Sequence, residues 1–129
     1  MAIRTIRVVL VDDHPTVRRE LSTFLRGFAD IDVVGEAADG RGAIELARSL
    51  APDVMVMDVF MPVMNGIDAT RAIRSENPEV RIVGMSMYDE AELGESVRLS
   101  GATTYVCKAA SPELLLEAVR GTQIFPAAG

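Results

Sequence analysis

Five short apolar runs stand along the chain, each bounded by polar or turn-forming residues. Two of them, residues 8–11 and 54–57, contain no polar side chain. An unbroken run of this length is typical of a strand that is buried on both faces of a parallel sheet. The pattern predicts strands over residues 6–11, 31–36, 54–58, 80–86 and 103–107.

Between these strands, apolar residues recur at helical spacing. At intervals of four, three, one and three residues, the first stripe carries Val17, Leu21, Phe24, Leu25 and Phe28. Similar stripes predict helices over residues 40–50 and 66–76, a fourth helix from Asp89 to Gly101, and a fifth that follows Ser111.

The helix ends carry recognisable signals. Asp39 and Ser111 are the predicted N-caps of the second and fifth helices, because their side-chain oxygens can accept from free backbone amides. Gly94 lies inside the fourth helix and should cost about 1 kcal/mol relative to alanine. We therefore expect the fourth helix to be among the less stable ones.

Strands and helices alternate five times. This order predicts an α/β domain in which helices cover both faces of a parallel sheet, with right-handed crossovers. We expect residues 1–121 to form this single domain. Residues 122–129 continue no pattern, and we interpret them as a flexible tail or the start of a linker to an output domain.

Composition narrows the function. The 129 residues are 49% apolar, which suits a packed core and argues against disorder. The net charge of −6 argues against a nucleic-acid surface, because neutralising phosphates needs clustered lysine and arginine. A single cysteine, with no signal peptide and no apolar stretch of membrane-spanning length, favours a cytoplasmic location.

Polar side chains stand where the predicted strands end. Asp12 and Asp13 follow the first strand, and Asp58 ends the third. Ser86 ends the fourth strand and Lys108 follows the fifth. The carboxyl ends of parallel strands share one edge of the sheet, where ligands bind in open α/β folds. If the first and third strands are neighbours, the three carboxylates converge in one cleft.

Three carboxylates in one cleft favour a bound cation, since they cannot all stay ionised cheaply without one. An oxygen-only cluster suits a hard ion such as Mg²⁺ rather than a transition metal. The ammonium of Lys108 and the hydroxyl of Ser86 would complete a site for a phosphoryl group. Asp58 would then be a nucleophile that forms an aspartyl phosphate.

Each of these residues also has a simpler interpretation. Asp12 or Asp13 can cap the first helix. Ser86 can be a small polar residue at a strand end, and Lys108 can be a solvated charge. Their joint occurrence at four strand ends favours the site. His14, the only histidine, can be a metal or phosphorelay residue, but we interpret it as the residue that leads into the first helix.

From residue 6 to about residue 121, the chain resembles the receiver domain of bacterial two-component response regulators. The matching segments are residues 11–15, 57–67 and 105–108, together with Ser86. The His-Pro pair after the acids and the segment 108–112 are most similar to the subfamily with a C-terminal LuxR-type (NarL/FixJ) helix-turn-helix. The resemblance implies a flavodoxin-like fold with strand order 2-1-3-4-5.

The resemblance also implies roles for the acidic residues. Asp58 would accept a phosphoryl group from the phosphohistidine of a sensor histidine kinase. Asp13 and Asp58 would ligate Mg²⁺ directly, together with the backbone carbonyl of Phe60. Asp12 would act through water. Such a domain catalyses only its own phosphorylation and dephosphorylation and is not a turnover enzyme.

Further residues would carry the response. Lys108 would pair with the phosphoryl oxygens, Ser86 would move to bond one of them, and Tyr105 would change rotamer with Ser86. The output would be transcription, through a C-terminal DNA-binding domain outside this chain; the chain itself would not bind DNA or a membrane. Leu114 and Leu116, taken as exposed residues of the fifth helix, would offer a homodimer surface.

Two features depart from the receiver pattern or extend it. Many receivers have proline after the lysine, whereas Ala109 stands here, so the isomer of that peptide bond stays open. Phe60 and Tyr88 are bulky residues two positions beyond Asp58 and Ser86. We hypothesise that they obstruct the water that hydrolyses the phosphoryl group.

Two other functions use similar residues. A Mg²⁺-dependent phosphatase with an aspartyl nucleophile would carry a second aspartate two positions later as general acid, but Phe60 occupies that position. A receiver that acts only as a phosphorylation-independent protein-interaction module is the other alternative. The complete set of phosphorylation residues argues against that alternative.

Overall fold

A computed structural model describes residues 4–61, 64–87, 97–108 and 111–121. Five strands form one parallel sheet with the order β2-β1-β3-β4-β5, so the predicted flavodoxin-like α/β fold is confirmed. The strands are β1 (Ile6–Val11), β2 (Ile31–Ala37), β3 (Val54–Asp58), β4 (Arg81–Ser86) and β5 (Thr104–Cys107). The described helices with assigned bounds are α1 (Pro15–Arg26), α2 (Gly40–Leu50), α3 (Gly66–Glu76) and α4 (Pro112–Arg120).

The predicted fourth helix falls mostly outside the described residues, although residues 97–99 are helical. Val97 is buried against β4, where an ideal Cβ at Gly84 would lie 2.3 Å from Val97 Cγ1. The strand glycine therefore makes room for this segment. Several residues named in the sequence predictions lie outside the described ranges, namely Tyr88, Asp89, Gly94, Ala109 and residues 122–129.

The helix caps were predicted with mixed success. Asp39 caps α2 as predicted, since its Oδ1 accepts from the amide of Gly42 at 2.8 Å. Ser111 holds the N-cap position of α4, but its side chain makes no cap hydrogen bond. The first turn of α4 is exposed to water, and Pro112 has no amide hydrogen to satisfy. The proline and the solvent therefore replace the predicted cap.

Both faces of the sheet are buried, because side chains alternate along each strand. One face packs against α2, α3 and Val97, and its buried strand residues are Val9, Val11, Ala37, Met55, Met57, Ile82 and Tyr105. The other face packs against α1 and α4, and its buried strand residues are Val8, Leu10, Ile31, Val33, Val54, Val56, Val83, Met85 and Val106. Among the described residues, no helix has the length and apolar character that a membrane span needs.

The expectation that Leu114 and Leu116 are exposed is wrong. Leu116 is only 8% exposed, and Leu114 is partly buried against the same apolar cluster. That cluster also contains Leu25 of α1 and Val119 of α4, so α4 is covered by α1 side chains as well as by the sheet. Neither leucine is therefore the exposed residue that the expected homodimer surface required.

Arg81 ties the end of α4 to the sheet. Its guanidinium donates to the carbonyl oxygens of Ala118 at 3.3 Å and Val119 at 2.6 Å. Gly121 follows with a φ of 87°, a left-handed conformation that favours glycine. Burial lowers the pKa of Arg81, because the charged guanidinium is partly removed from water. The two carbonyl oxygens offset this cost by accepting its hydrogen bonds.

Candidate functional site

The parallel register brings the predicted polar residues to one edge of the sheet. The last residue of β1 pairs with the residue before Asp58, so Asp12 and Asp58 stand side by side. Ser86 ends the next strand, and the amide of Lys108 donates to the Ser86 carbonyl oxygen at 2.6 Å. β1 and β3 are thus neighbours, as the converging acids required.

Asp12 and Asp58 are buried carboxylates that share one lysine. Their exposed fractions are 1% and 2%. Lys108 Nζ lies 2.9 Å from Asp12 Oδ2 and 3.2 Å from Asp58 Oδ2. The lysine is itself mostly buried, so this ion pair is shielded from solvent and is stronger than a surface pair.

The charges of this cluster shift two pKa values. Burial raises the pKa of Asp58 to about 6, and Asp12 adds to the rise while Lys108 opposes it. Burial works against the charge of Lys108, but the carboxylates of Asp12 and Asp58 outweigh it and raise the lysine pKa. Lys108 therefore stays charged at neutral pH, and the Asp58 carboxylate is held at an energetic cost.

The acids fit a metal ion. Asp12, Asp13, His14 and Asp58 each place one potential ligand atom within 4.8 Å of the others. Asp12 Oδ2 and Asp13 Oδ1 are buried and accept no hydrogen bond, although Lys108 Nζ lies 2.9 Å from the first and His14 Nδ1 lies 3.2 Å from the second. Buried carboxylate oxygens without donors are costly, and a hard cation satisfies them. This donor set therefore suits Mg²⁺.

Phe60 meets the site through its backbone. Its amide donates to Asp58 Oδ1 at 3.2 Å, which fixes the loop after β3 around the carboxylate. Its side chain is 51% exposed. The bulky ring is therefore open to solvent, two residues after Asp58 in the chain.

Ser86 and Tyr105 form a buried pair. The side-chain oxygens Ser86 Oγ and Tyr105 Oη share a hydrogen bond of 2.8 Å. Ser86 is 1% exposed and Tyr105 is 6% exposed. The two residues on which the predicted switch depends are therefore in direct contact, next to the acidic cluster.

Arg18 supports the acidic loop, although nothing in its local sequence marks it. Its Nη1 donates to the Asp12 carbonyl oxygen at 2.6 Å, and its Nε lies 3.3 Å from Glu36 Oε1 of β2. Gly66 is the second unmarked residue, because α3 begins so close to β3 that an ideal Cβ there would lie 2.0 Å from the Asp58 carbonyl oxygen. Both contacts depend on how a helix and the loop before it pack against the end of a strand.

A parallel α/β sheet with buried acids, a lysine and a hydroxyl at the edge where β1 and β3 meet defines a signalling domain of the receiver class. The chain belongs to the response regulator receiver domain family, which matches residues 8–120. Receiver domains are phosphoacceptors rather than classical enzymes, and they bind Mg²⁺ at an acidic pocket. They act with histidine kinases.

Individual relatives place the chain in a subfamily. It is 38% identical over 117 residues to the response regulator protein VraR of Staphylococcus saprophyticus, covering 91% of this chain. A LuxR-family two-component response regulator from Aurantimonas sp. SI85-9A1 superposes with a TM-score of 0.86 at 37% identity, covering 90% of this chain and 83% of that one. The response regulator domain of Thermotoga maritima CheB gives 0.84 at 33% identity, covering 95% and 100%. The LuxR-type resemblance is therefore confirmed.

The match to VraR is partial in one respect. The chain spans 56% of the length of the Staphylococcus saprophyticus protein, and likewise 56% of VraR from Staphylococcus aureus, to which it is 36% identical over 118 residues. The described site residues thus belong to the segment shared with these regulators.

Proposed function

We propose that the chain is the phosphoacceptor domain of a two-component response regulator, and that Asp58 receives a phosphoryl group from a sensor histidine kinase. The observation that carries this proposal is the position of Asp58. Its buried carboxylate lies 3.2 Å from Lys108 Nζ, beside two further acids. A carboxylate, an ammonium and a cation site in contact are the groups that in-line phosphoryl transfer requires.

Each residue has a part in the transfer. The Asp58 carboxylate attacks phosphorus as the P–N bond of the phosphohistidine breaks, and the released imidazole takes up a proton. Lys108 then pairs with the phosphoryl oxygens, a move it can make because its ammonium already contacts Asp58. Phe60 holds Asp58 through its amide and keeps the carboxylate oriented.

Asp13 and Asp58 would hold Mg²⁺ with the carbonyl of Phe60, and Asp12 would act through a bound water. The ion supplies positive charge that offsets the charge on the phosphoryl oxygens. Arg18 keeps the Asp12 loop in place by binding its carbonyl oxygen. With the ion bound and the loop held, the three carboxylates would stay close together despite their mutual repulsion.

The switch begins at Ser86. Phosphorylation adds about −1.5 to −2 charges at neutral pH, and this charge draws the Ser86 hydroxyl toward the phosphoryl oxygens. That movement gives up the hydrogen bond between Ser86 Oγ and Tyr105 Oη. Tyr105 is then released to change rotamer, which alters the surface around β5 and carries the signal outward.

The output we propose is transcription. In this proposal the natural protein continues into a LuxR-type DNA-binding domain, and the receiver acts in the cytoplasm. The response regulator RcsB from Salmonella typhimurium, whose structure concerns DNA interaction, matches 95% of this chain at 25% identity and supports this output. A homodimer remains part of the proposal, without Leu114 and Leu116 as its surface.

The first prediction tests the acceptor. Incubation of the chain with Mg²⁺ and acetyl phosphate should add one phosphoryl group, seen as a mass shift of the intact protein. Asp58→Asn should abolish the shift, because an amide is not a nucleophile for phosphorus. A chelator should also abolish it in the wild-type chain.

No adduct in a wild-type chain that binds Mg²⁺ would overturn this function. The receiver would then act as a phosphorylation-independent interaction module. A shift that persists in Asp58→Asn would place the acceptor on another residue. Asp13→Asn should keep the acceptor but require far more Mg²⁺, which separates the metal role from the acceptor role.

A second prediction concerns Phe60. The Phe60 amide contacts the Asp58 carboxylate and its ring is half-exposed, so we expect the ring to shield the phosphoryl group from water. Phe60→Asn should shorten the half-life of the phosphorylated chain severalfold, measured by loss of the mass shift after donor removal. Leu99→Ala is the matched control, since Leu99 is 65% exposed and is not part of the site. Equal half-lives for the wild-type and Phe60→Asn chains would contradict the shielding role.

A further inference from the structure

A small groove opens between α1 and β2, which is an edge strand of the sheet. Its volume is about 260 Å³, and Arg18, Arg19 and Arg26 all line it. Glu36 is the single acid among the described residues of its lining. We call it the arginine groove. Its charge is opposite in sign to that of the whole chain, which is −6.

The helical repeat gathers the basic side chains on one face of α1. Arg18, Ser22 and Arg26 follow one another at intervals of four residues and therefore lie in one row along the helix. Arg19 precedes Arg26 by seven residues, which is about two helical turns, so it borders the same row. The arginines thus converge on one concave site instead of spreading over the surface.

Many donors in the arginine groove are unused. The exposed side chain of Arg19 makes no hydrogen bond or ion pair with the described residues. Arg26 uses only its Nε, which donates at 2.9 Å to a serine hydroxyl one turn earlier in α1. Arg18 is the most engaged, because its Nη1 donates to the Asp12 carbonyl oxygen and its Nε lies 3.3 Å from Glu36 Oε1. One carboxylate therefore serves three guanidinium groups.

This arrangement suits a compact ligand with several negative charges. Three like charges in one small groove repel one another, and Glu36 offsets only one of them. A guanidinium presents a planar fork of N–H donors that matches two oxygens of a phosphate group. The hydroxyl of Thr23, which also lines the groove, can donate a further hydrogen bond. A diphosphate group has both the charge and the acceptor oxygens for this set of donors.

We propose that the arginine groove binds a diphosphate group, either as free pyrophosphate or as part of a nucleoside diphosphate. Arg19 and Arg26 donate to its oxygens, and Arg18 joins them by exchanging Glu36 for a ligand oxygen. The groove contains none of the acidic residues that form the cluster at the sheet edge. The inference therefore rests neither on a metal ion nor on phosphoryl acceptance by Asp58.

Arg18 connects the arginine groove to the acidic site. Its Nη1 donates to the Asp12 carbonyl oxygen at 2.6 Å, whereas its Nε is the nitrogen next to Glu36. A ligand that draws this guanidinium from Glu36 therefore acts on the same group that holds the Asp12 loop. Through this side chain, a diphosphate in the groove would influence the acidic edge of the sheet without contacting it.

The test is isothermal titration of the full chain with pyrophosphate, in chelator and at low salt. Arg19→Gln and Arg26→Gln should each lower the affinity about fivefold, since each removes one charged set of donors from an exposed position. Arg71→Gln is the matched control, because it removes the same charge from an exposed position on α3, outside the groove. Its affinity should stay within about twofold of the wild-type value.

A second substitution should act in the opposite direction. Glu36→Gln removes the carboxylate that competes for Arg18, so the affinity for pyrophosphate should rise about threefold. Asp32→Asn is its control, because Asp32 is an exposed acid on the same strand that does not line the groove. An equal rise in both variants would contradict a specific role for Glu36 and with it the proposed exchange at Arg18.

Titration with ADP separates the two sources of the ligand. Equal affinities for ADP and pyrophosphate would assign recognition to the diphosphate alone, whereas tighter binding of ADP would assign the groove to a nucleotide. No binding of pyrophosphate, equal affinity for sulfate at the same ionic strength, or equal losses in Arg26→Gln and Arg71→Gln would each overturn the proposal. Binding of polyglutamate through Arg19 and Arg26 in place of pyrophosphate would overturn it in favour of an acidic protein partner.

Discussion

Replacing Gly66 by alanine should lower the free energy of unfolding by about 3 kcal/mol and weaken Mg²⁺ binding. An ideal Cβ at this position would lie 2.0 Å from the Asp58 carbonyl oxygen and 2.8 Å from Val59 Cα. Both are backbone atoms, so no side-chain rotation relieves the clash. The start of α3 would have to move away from the end of β3 and displace Asp58.

Gly27→Ala is the matched control for this substitution. An ideal Cβ there lies 3.3 Å from the Phe24 carbonyl oxygen, and Gly27 has an ordinary φ of −72°. We expect its stability to stay within about 1 kcal/mol of the wild-type value. Urea denaturation measures both variants, and Mg²⁺ titration follows the site. If the Gly66→Ala chain were as stable as the Gly27→Ala chain, the loop after β3 would be able to move away from the added Cβ at little cost, and the prediction would be wrong.

The second large effect is a stabilisation. Asp58→Asn should raise the free energy of unfolding of the metal-free chain by about 2 kcal/mol at neutral pH. Burial raises the pKa of Asp58 from 3.8 to about 6, so the ionised carboxylate costs stability in the folded state. Asparagine has nearly the same shape and carries no charge, which removes this cost.

The direction in which the free energy of unfolding changes with pH follows from the raised pKa of Asp58. Between about pH 4 and pH 6 the folded chain holds a proton on Asp58 that the unfolded chain has lost. Wild-type stability should therefore fall as the pH rises through this window, and Asp58→Asn should show a smaller fall. Urea denaturation in chelator at several pH values measures the difference. Added Mg²⁺ should narrow the gap by stabilising the wild-type chain.

Asp30→Asn provides a control of opposite sign. Arg120 forms two hydrogen bonds of 2.9 Å with Asp30 and holds its pKa below the usual value. The stabilisation from Asp30 is therefore present above about pH 4 and is lost only as the pH falls further. Asp30→Asn should leave the slope between pH 4 and pH 6 unchanged. Parallel curves for the wild-type and Asp58→Asn chains would refute the assigned cost of the Asp58 charge.

Most of the fold could be predicted from the sequence, because apolar periodicity is a local signal. The bounds of α3 and the ends of β1 and β3 agree with the pattern. The convergence of Asp12, Asp58 and Lys108 also follows, since the carboxyl ends of parallel strands share one edge. The exposure of Leu116 was wrong because a helix in sequence does not reveal that a second helix covers its flank.

Features that depend on how helices and loops pack against the strand ends could not be predicted. The bond from Arg18 to the Asp12 carbonyl depends on how α1 packs against the sheet. The close approach of Gly66 to Asp58 depends on the path of the loop between them. The position of His14 as the residue before α1 was predicted, but the direction of its ring toward both acids was not.

The bonds from Arg81 to the last carbonyls of α4 set a practical boundary for building chimeras. A reporter or a foreign output domain joined after Gly121 keeps Ala118 and Val119, and with them both bonds. A junction placed before Ala118 would remove both carbonyl acceptors and leave the partly buried guanidinium of Arg81 without them, beside β4, which ends in Ser86. In such a chimera, damage to the receiver domain could not be told apart from failure of the attached domain. Gly121 is therefore the best position for the junction.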